Sequence, residues 1–160
     1  MRRKDKQVTD IHQIKRILDG CKTCHLAMVD NGSPYVIPLS YAYTLCGETL
    51  SLFFHSAKEG RKIGILKENN TVCFVMSNEG DSLIDEEMPC NSVRYFSSVL
   101  GEGTAQFVED ANEKCHALAL LMKHQANVDV TFTPAQAESV CVFKVISTDF
   151  TGKMKPNPTK

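Results

Sequence analysis

Asn31-Gly32 sits between two runs of alternating apolar and polar residues, LAMVD before it and SPYVI after it. A two-residue hairpin loop needs positive φ at both central positions, and Asn followed by Gly adopts that pair of angles readily. The dipeptide therefore commits its flanks to two antiparallel strands. Cys24 to Asp30 forms the first, and PYVIPLSYAYTL reads as a long second one. Pro38 lies inside that second strand, and proline has no N–H to give to a ladder. The strand must run at an edge or be bulged there, where something other than a neighbouring strand can contact the backbone. Cys46-Gly47 marks a second turn and TLSLFFH a third strand, which completes an antiparallel meander.

The remaining elements follow from periodicity. Ile11, Ile14, Ile17 and Leu18 recur at helical spacing, with Thr9 or Asp10 as the N-cap and Gly20 as the stop. TVCFVMSN forms a fourth strand, and EGDSLIDEEMPCN reads as an acidic loop. VRYFSSVLGEGTAQFVED forms a fifth strand, bulged or bent at Gly101 and Gly103. A second long helix spans about 111–125 with Leu118, Leu121 and Met122 inward, and VCVFKVISTDF is the last strand. The expected fold is mainly β with flanking helices, a small six-stranded antiparallel barrel. At 160 residues and 42% hydrophobic content the chain forms one domain, 1–160, in which 151–160 reads as a loop-like C-terminal tail.

The segment CKTCH matches the Cys-x-x-Cys-His pattern of covalent haem attachment. The start MRRKDKQVTD is basic but leads into no apolar run, so it does not read as an export signal, and no stretch approaches the length of a membrane span. The expectation is a cytoplasmic protein with seven thiols, an odd number that fits a reducing compartment. Structural zinc usually needs two closely spaced ligand pairs, and the other five cysteines are isolated, so no metal site is expected. Eighteen basic against nineteen acidic residues give a net charge of −1, which argues against a nucleic-acid or anionic-membrane footprint.

HSAKEGRKIGILKENN is different in character. Lys58, Arg61 and Lys62 fall in the first part of a helix that turns Ile63 and Leu66 inward. Basic groups there oppose the helix dipole. Either an anion sits at this helix start, held by free backbone N–H groups and the basic side chains, or the charges are a solvated face.

Taken together, MRRKD, DNGSPYVIPLSYAY, LFFHSAKEGRKIGIL, RYFSSVLGEGTAQFVED and TGKMKP resemble, in order and over almost the whole chain, the nitroimidazole-resistance (Nim-like) proteins. These are a branch of the pyridoxamine 5′-phosphate oxidase-like, FMN-binding split barrels. The resemblance implies a six-stranded split barrel that dimerises with itself and holds FMN at the dimer interface. It places the FMN phosphate at Ser56, Arg61 and Lys62. It lays the flavin ring along Val36, Pro38, Leu39 and Ser40, with Phe54 and His55 at the end of the third strand. Ser97 or Ser98 of the partner subunit would reach the ring, and the alternation does not choose between them. CKTCH carries no haem or metal role in such chains, and Cys24 is then a small buried hydrophobe.

The implied activity is an FMN-dependent oxidoreductase that passes electrons from NAD(P)H to a small electron-poor substrate, such as a 5-nitroimidazole-like nitroaromatic. His55 is its candidate catalytic residue, as proton donor; otherwise it is a strand-end histidine bonded to backbone. The alternative is a flavin- or haem-binding carrier or sensor without turnover. There is no tryptophan, and the Arg- and Trp-bearing C-terminal segment of true pyridoxamine-phosphate oxidases is missing, which argues against a vitamin B6 oxidase.

Overall fold

Asn31 and Gly32 take φ angles of 48° and 83°, the pair that closes a two-residue hairpin. The strands they join, β2 (Thr23–Asp30) and β3 (Ser33–Ser40), pair from Asp30↔Ser33 to Thr23↔Ser40 without a slip. The computed structural model describes residues 3–156; Met1, Arg2 and 157–160, which carry part of the basic start and of the tail, lie outside the described residues. The other strands are β1 (Gln7–Val8), β4 (Ala42–Cys46), β5 (Thr49–Ser56), β6 (Thr71–Leu83), β7 (Val93–Phe107) and β8 (Cys141–Lys155). The helices are α1 (Ile11–Gly20), α2 (Arg61–Glu68), α3 (Ala111–Ala126) and the single turn α4 (Pro134–Ala137).

All pairings are antiparallel, in the order β3-β2-β6-β7-β8-β5-β4, with β1 added to β8. The two end strands, β3 and β4, are consecutive in the chain and joined only by Tyr41. The sheet therefore curls back on itself through one covalent link, and the result is the split β-barrel expected. Pro38 lies on β3, an end strand, where its missing donor costs no ladder bond.

The strand count is eight rather than six, for two reasons. The long second strand is divided at Tyr41: its first half pairs with β2 and its second half with β5. Tyr41 and Ala42 are both buried, and two adjacent buried residues break strand alternation, so the side chains change sides at this point. The Tyr41 hydroxyl satisfies itself on the Leu18 carbonyl at 2.8 Å. The extra strand β1 pairs Gln7 and Val8 with Lys153 and Gly152. That pairing also corrects the tail, because β8 continues as strand to Lys155 through ladders with β1 and β7. Likewise the acidic stretch is not loop throughout: β6 runs on to Leu83, since 79–83 finds partners in 93–96 across an irregularity.

Two apolar cores result. The barrel interior holds Leu26, Leu52, Phe54, Phe74, Met76, Val99 and Phe143, all fully buried, and α1 adds Ile14, Ile17 and Leu18 to it. Phe54 and Phe143 stack at 5.1 Å, a geometry that adds to area burial. The second core lies under α3 and α4, where Ala117, Leu118 and Leu121 meet Ala42, Phe53 and Val142. Met122, expected inward, is 37% exposed, because the buried stripe of α3 runs through Lys114, Ala117, Leu118 and Leu121 and ends there. The bulge expected near the β7 glycines occurs as a register shift between Glu102 and Thr104.

Candidate functional site

The start of α2 is uncapped and basic. Its N-cap is Gly60, at φ 131°, and no side chain caps the helix. The Gly60 carbonyl accepts from Ile63 and Gly64, so the N–H groups of Arg61 and Lys62 point out of the helix with no partner among the described residues. The first turn contains no acidic residue and two basic ones, the reverse of what the helix dipole favours. Ser56 stands just upstream, half-buried, its hydroxyl donating to the Ala57 carbonyl at 2.8 Å.

Arg61 is positioned by residues distant in sequence. Its Nε donates to Asp30 Oδ2 at 2.9 Å, and its guanidinium lies 4.4 Å from the centroid of the Tyr35 ring. Asp30 closes β2 and Tyr35 opens β3, so the Asn31-Gly32 hairpin brings both to α2. Arg61, Asp30, Asn31, Gly64 and Asn69 line a cleft of about 510 Å³. Lys62 has no ion-pair partner among the described residues. Lys58 does not join them: it precedes the helix and pairs with Glu138 at 2.8 Å, while Lys114 approaches the same carboxylate at 3.3 Å. These two ammonium groups, Lys58 first, hold the Glu138 carboxyl below its usual range.

The strand residues of the expected site separate by face. Val36, Pro38 and Ser40 point outward from β3, whereas Leu39 turns in against the barrel core. Phe54 is wholly inside the barrel, so its ring is core and offers nothing to a ligand. His55 is exposed at the end of β5 and its ring makes no hydrogen bond among the described residues. On β7, Ser97 shares the inward parity of the buried Val99, and Ser98 shares the outward parity of Leu100. Register carries Ser98 beside Ser77 and Lys153, on the outer face that β3, β2, β6 and β7 hold in common. That face leaves Val36 56%, Val29 47% and Leu100 47% exposed.

Of CKTCH, His25 reaches that face and neither cysteine does. Cys21 caps the end of α1 and Cys24 is buried in β2, while His25 projects from the opposite face of the strand, across from Pro38. Burial pushes the Cys24 thiol up to about 12 and raises Cys21 as well, so neither is a nucleophile near neutrality. Sequence reasoning missed Asp30 and Tyr35, the two residues that set the Arg61 guanidinium. Asp30 adjoins the hairpin signal, but nothing in the sequence pairs it with a residue 31 positions on.

The curled antiparallel sheet, with a basic, uncapped helix start whose Arg61 reaches Tyr35 on the proline-bearing end strand, is the plan of a split barrel. The sequence model of the pyridoxamine 5′-phosphate oxidase family matches residues 10–154, and the chain belongs to that family. Among solved structures, a "putative 5-nitroimidazole antibiotic resistance protein" of Bacteroides thetaiotaomicron is 30% identical, with 92% of this chain and 86% of that one covered and a TM-score of 0.80. Two more distant structures share the fold. The flavocytochrome of Azotobacter vinelandii is 21% identical, covers 99% of this chain and 73% of its own, and has a TM-score of 0.76. An FAD and haem binding protein of Mycobacterium smegmatis is 17% identical, with 95% and 74% covered and a TM-score of 0.75. The comparison with curated proteins gives no match. No helix among the described residues is long and apolar enough to cross a membrane.

Proposed function

We propose that this chain is an FMN-dependent oxidoreductase that reduces a small electron-poor substrate, such as a nitroaromatic, with electrons from NAD(P)H. The observation that carries this reading is the uncapped start of α2, where free N–H groups, Lys62 and the guanidinium edge of Arg61 offer a donor set suited to a phosphate monoester. Arg61 spends only Nε on Asp30, which leaves its terminal nitrogens for phosphate oxygens. Ser56, which closes β5 just upstream, adds a hydroxyl.

Bound there, the flavin would supply hydride transfer from a reduced nicotinamide to the acceptor. The chain's own residues position and shield. Val36 and Pro38 present an apolar, outward-facing floor, and Pro38 keeps one backbone position free of N–H. Asp30 and Tyr35 fix the phosphate-binding arginine, so little freedom is lost on binding. His55, exposed beside Ser56, is the group that would pass a proton to the reduced substrate.

We further infer a homodimer. The outer sheet face exposes Val29, Val36 and Leu100 together, and an apolar area of this kind on a sheet is normally covered. A second copy seated there would bring its own Ser98 to the flavin. The seven cysteines are all unpaired, which suits a cytoplasmic setting. Anaerobic addition of NADH or NADPH should bleach the bound flavin, and metronidazole should then restore its colour. A flavin that neither nicotinamide bleaches would make the protein a carrier or sensor instead.

A further inference from the structure

A cavity of about 850 Å³ lies between α1, β4 and α3. None of the expected flavin residues lines it. Its size falls in the range of small-molecule sites. Its walls are apolar where Ile11, Ala42, Leu45 and Leu120 face it, and aromatic where Tyr43 meets His124 edge to face at 5.7 Å.

That aromatic wall is held rigid. His124 Nε2 donates to the Cys21 carbonyl at 2.9 Å, and its ring packs 4.8 Å from that of Tyr41. The Tyr43 hydroxyl donates to Asp19 Oδ1 at 2.5 Å. Gln125 donates to the carbonyls of Lys22 and Tyr41 at 3.0 and 2.7 Å, which ties the end of α3 to both neighbours. Side chains so fixed lose little entropy when a ligand arrives.

The charge around the cavity is positive on balance. Its titratable lining comprises His12, Lys15, Asp19, Lys22, Lys123 and His124, besides Tyr43. Lys123 is neutralised by Asp129 at 2.6 Å, while Asp19 accepts from the neutral Tyr43 hydroxyl and keeps its negative charge. Lys22 bonds only a neutral carbonyl, that of His124, and Lys15 has no ion-pair partner among the described residues. Two ammonium groups, Lys15 and Lys22, against the one carboxylate of Asp19 thus leave the lining of the cleft with a net positive charge. Burial keeps the His124 imidazole below its ordinary pKa, so it serves as an aromatic surface rather than a third cation.

We propose that this cleft is a binding site for a small aromatic carboxylate, whose ring lies against Tyr43 and His124 and whose carboxylate meets Lys15 and Lys22. The site is independent of the flavin reading and stands or falls without it.

The test uses the full chain as purified, with benzoate as probe and benzyl alcohol as its uncharged counterpart, followed by NMR shifts of the His124 and Tyr43 side chains. Benzoate should give saturable shifts at both rings and bind at least about tenfold more tightly than benzyl alcohol, as expected for charge-assisted contacts. Lys15→Gln combined with Lys22→Gln should erase that preference. Lys15→Gln alone, which removes no internal hydrogen bond, should reduce it by a few-fold and guards against a folding defect in the double variant. Absence of saturable shifts at His124 and Tyr43, equal affinity for the two probes, or undiminished benzoate binding by folded variants would each overturn the proposal.

Discussion

Replacing Arg61 by Ala should weaken FMN binding more than replacing Lys62, and the geometry says by how much. Lys62 is a point charge on a solvated helix start, so its loss should cost about 0.5–1 kcal/mol, or roughly two- to fivefold. Arg61 offers charged hydrogen bonds whose loss costs about 1.5–3 kcal/mol, or roughly 10- to 150-fold. The same substitution removes the ion-pair partner that Asp30 has among the described residues; its side chain is 26% exposed and lies 2.9 Å from Nε. Asp30 then stands as an unneutralised carboxylate near the phosphate. Two like charges about 8 Å apart at an effective dielectric near 40 repel by roughly 1 kcal/mol. Adding Asp30→Asn to Arg61→Ala should therefore recover roughly fivefold of the lost affinity. Titration of FMN into the apoprotein, followed by quenching of flavin fluorescence, measures all four proteins. Arg61→Ala binding FMN within twofold of the parent, or Lys62→Ala suffering the larger loss, would refute the assignment of the phosphate to this turn.

Other consequences follow from burial and close contact. Iodoacetamide at pH 8 should label exposed Cys46 and Cys90 well before Cys21 and Cys24, because burial holds the Cys24 thiol near 12 and leaves almost no thiolate; peptide mass spectrometry reads the order. His124 titrates lower in the folded chain than its ordinary 6.5, so the unfolded chain takes up a proton first as pH falls. Stability is therefore fully present above about 6.5 and declines below it toward the folded value; a Tm series from pH 7.5 to 5.0 should fall, and His124→Gln should flatten it. Gly101→Ala would set a methyl 2.5 Å from Phe74 Cζ and 2.8 Å from the Asp149 carbonyl oxygen, and should cost about 1–3 kcal/mol. Gly64→Ala, inside α2 with nothing within 4 Å of its new Cβ, should add about 0.5–1 kcal/mol; urea denaturation distinguishes the two.

Local chemistry made much of this fold legible. Asn31-Gly32 announces its hairpin because only certain residues take positive φ cheaply, and Asp10 announces α1 because its carboxylate caps the N–H groups of His12 and Gln13. Features that depend on partners distant in the chain were not legible. Residues 79–83 are acidic and contain Gly80, yet they form strand because β7 supplies a ladder. TGKMK has little strand character, yet β1 and β7 hold it as strand. The break at Tyr41 did leave a trace, two adjacent residues of core character, which the continuous apolar run concealed.

In the site, the basic start of α2 could be read from Arg61 and Lys62 set against the helix dipole. The inward turn of Leu39 and Phe54 follows from strand parity once the barrel interior is known. The outward parity of Ser98 and the inward parity of Ser97 needed the same knowledge, through the buried Val99 beside them. The clamp of Asp30 and Tyr35 on Arg61 needed the tertiary structure.

The most direct test of the account is the chromophore carried by the purified protein. Its visible spectrum should show the two bands of a flavin, and after denaturation the pigment should pass an ultrafiltration membrane with the mass of FMN, about one per chain. A Soret band retained with the polypeptide would mean that CKTCH attaches haem, and a protein unable to take up FMN when it is supplied would contradict the phosphate site at α2.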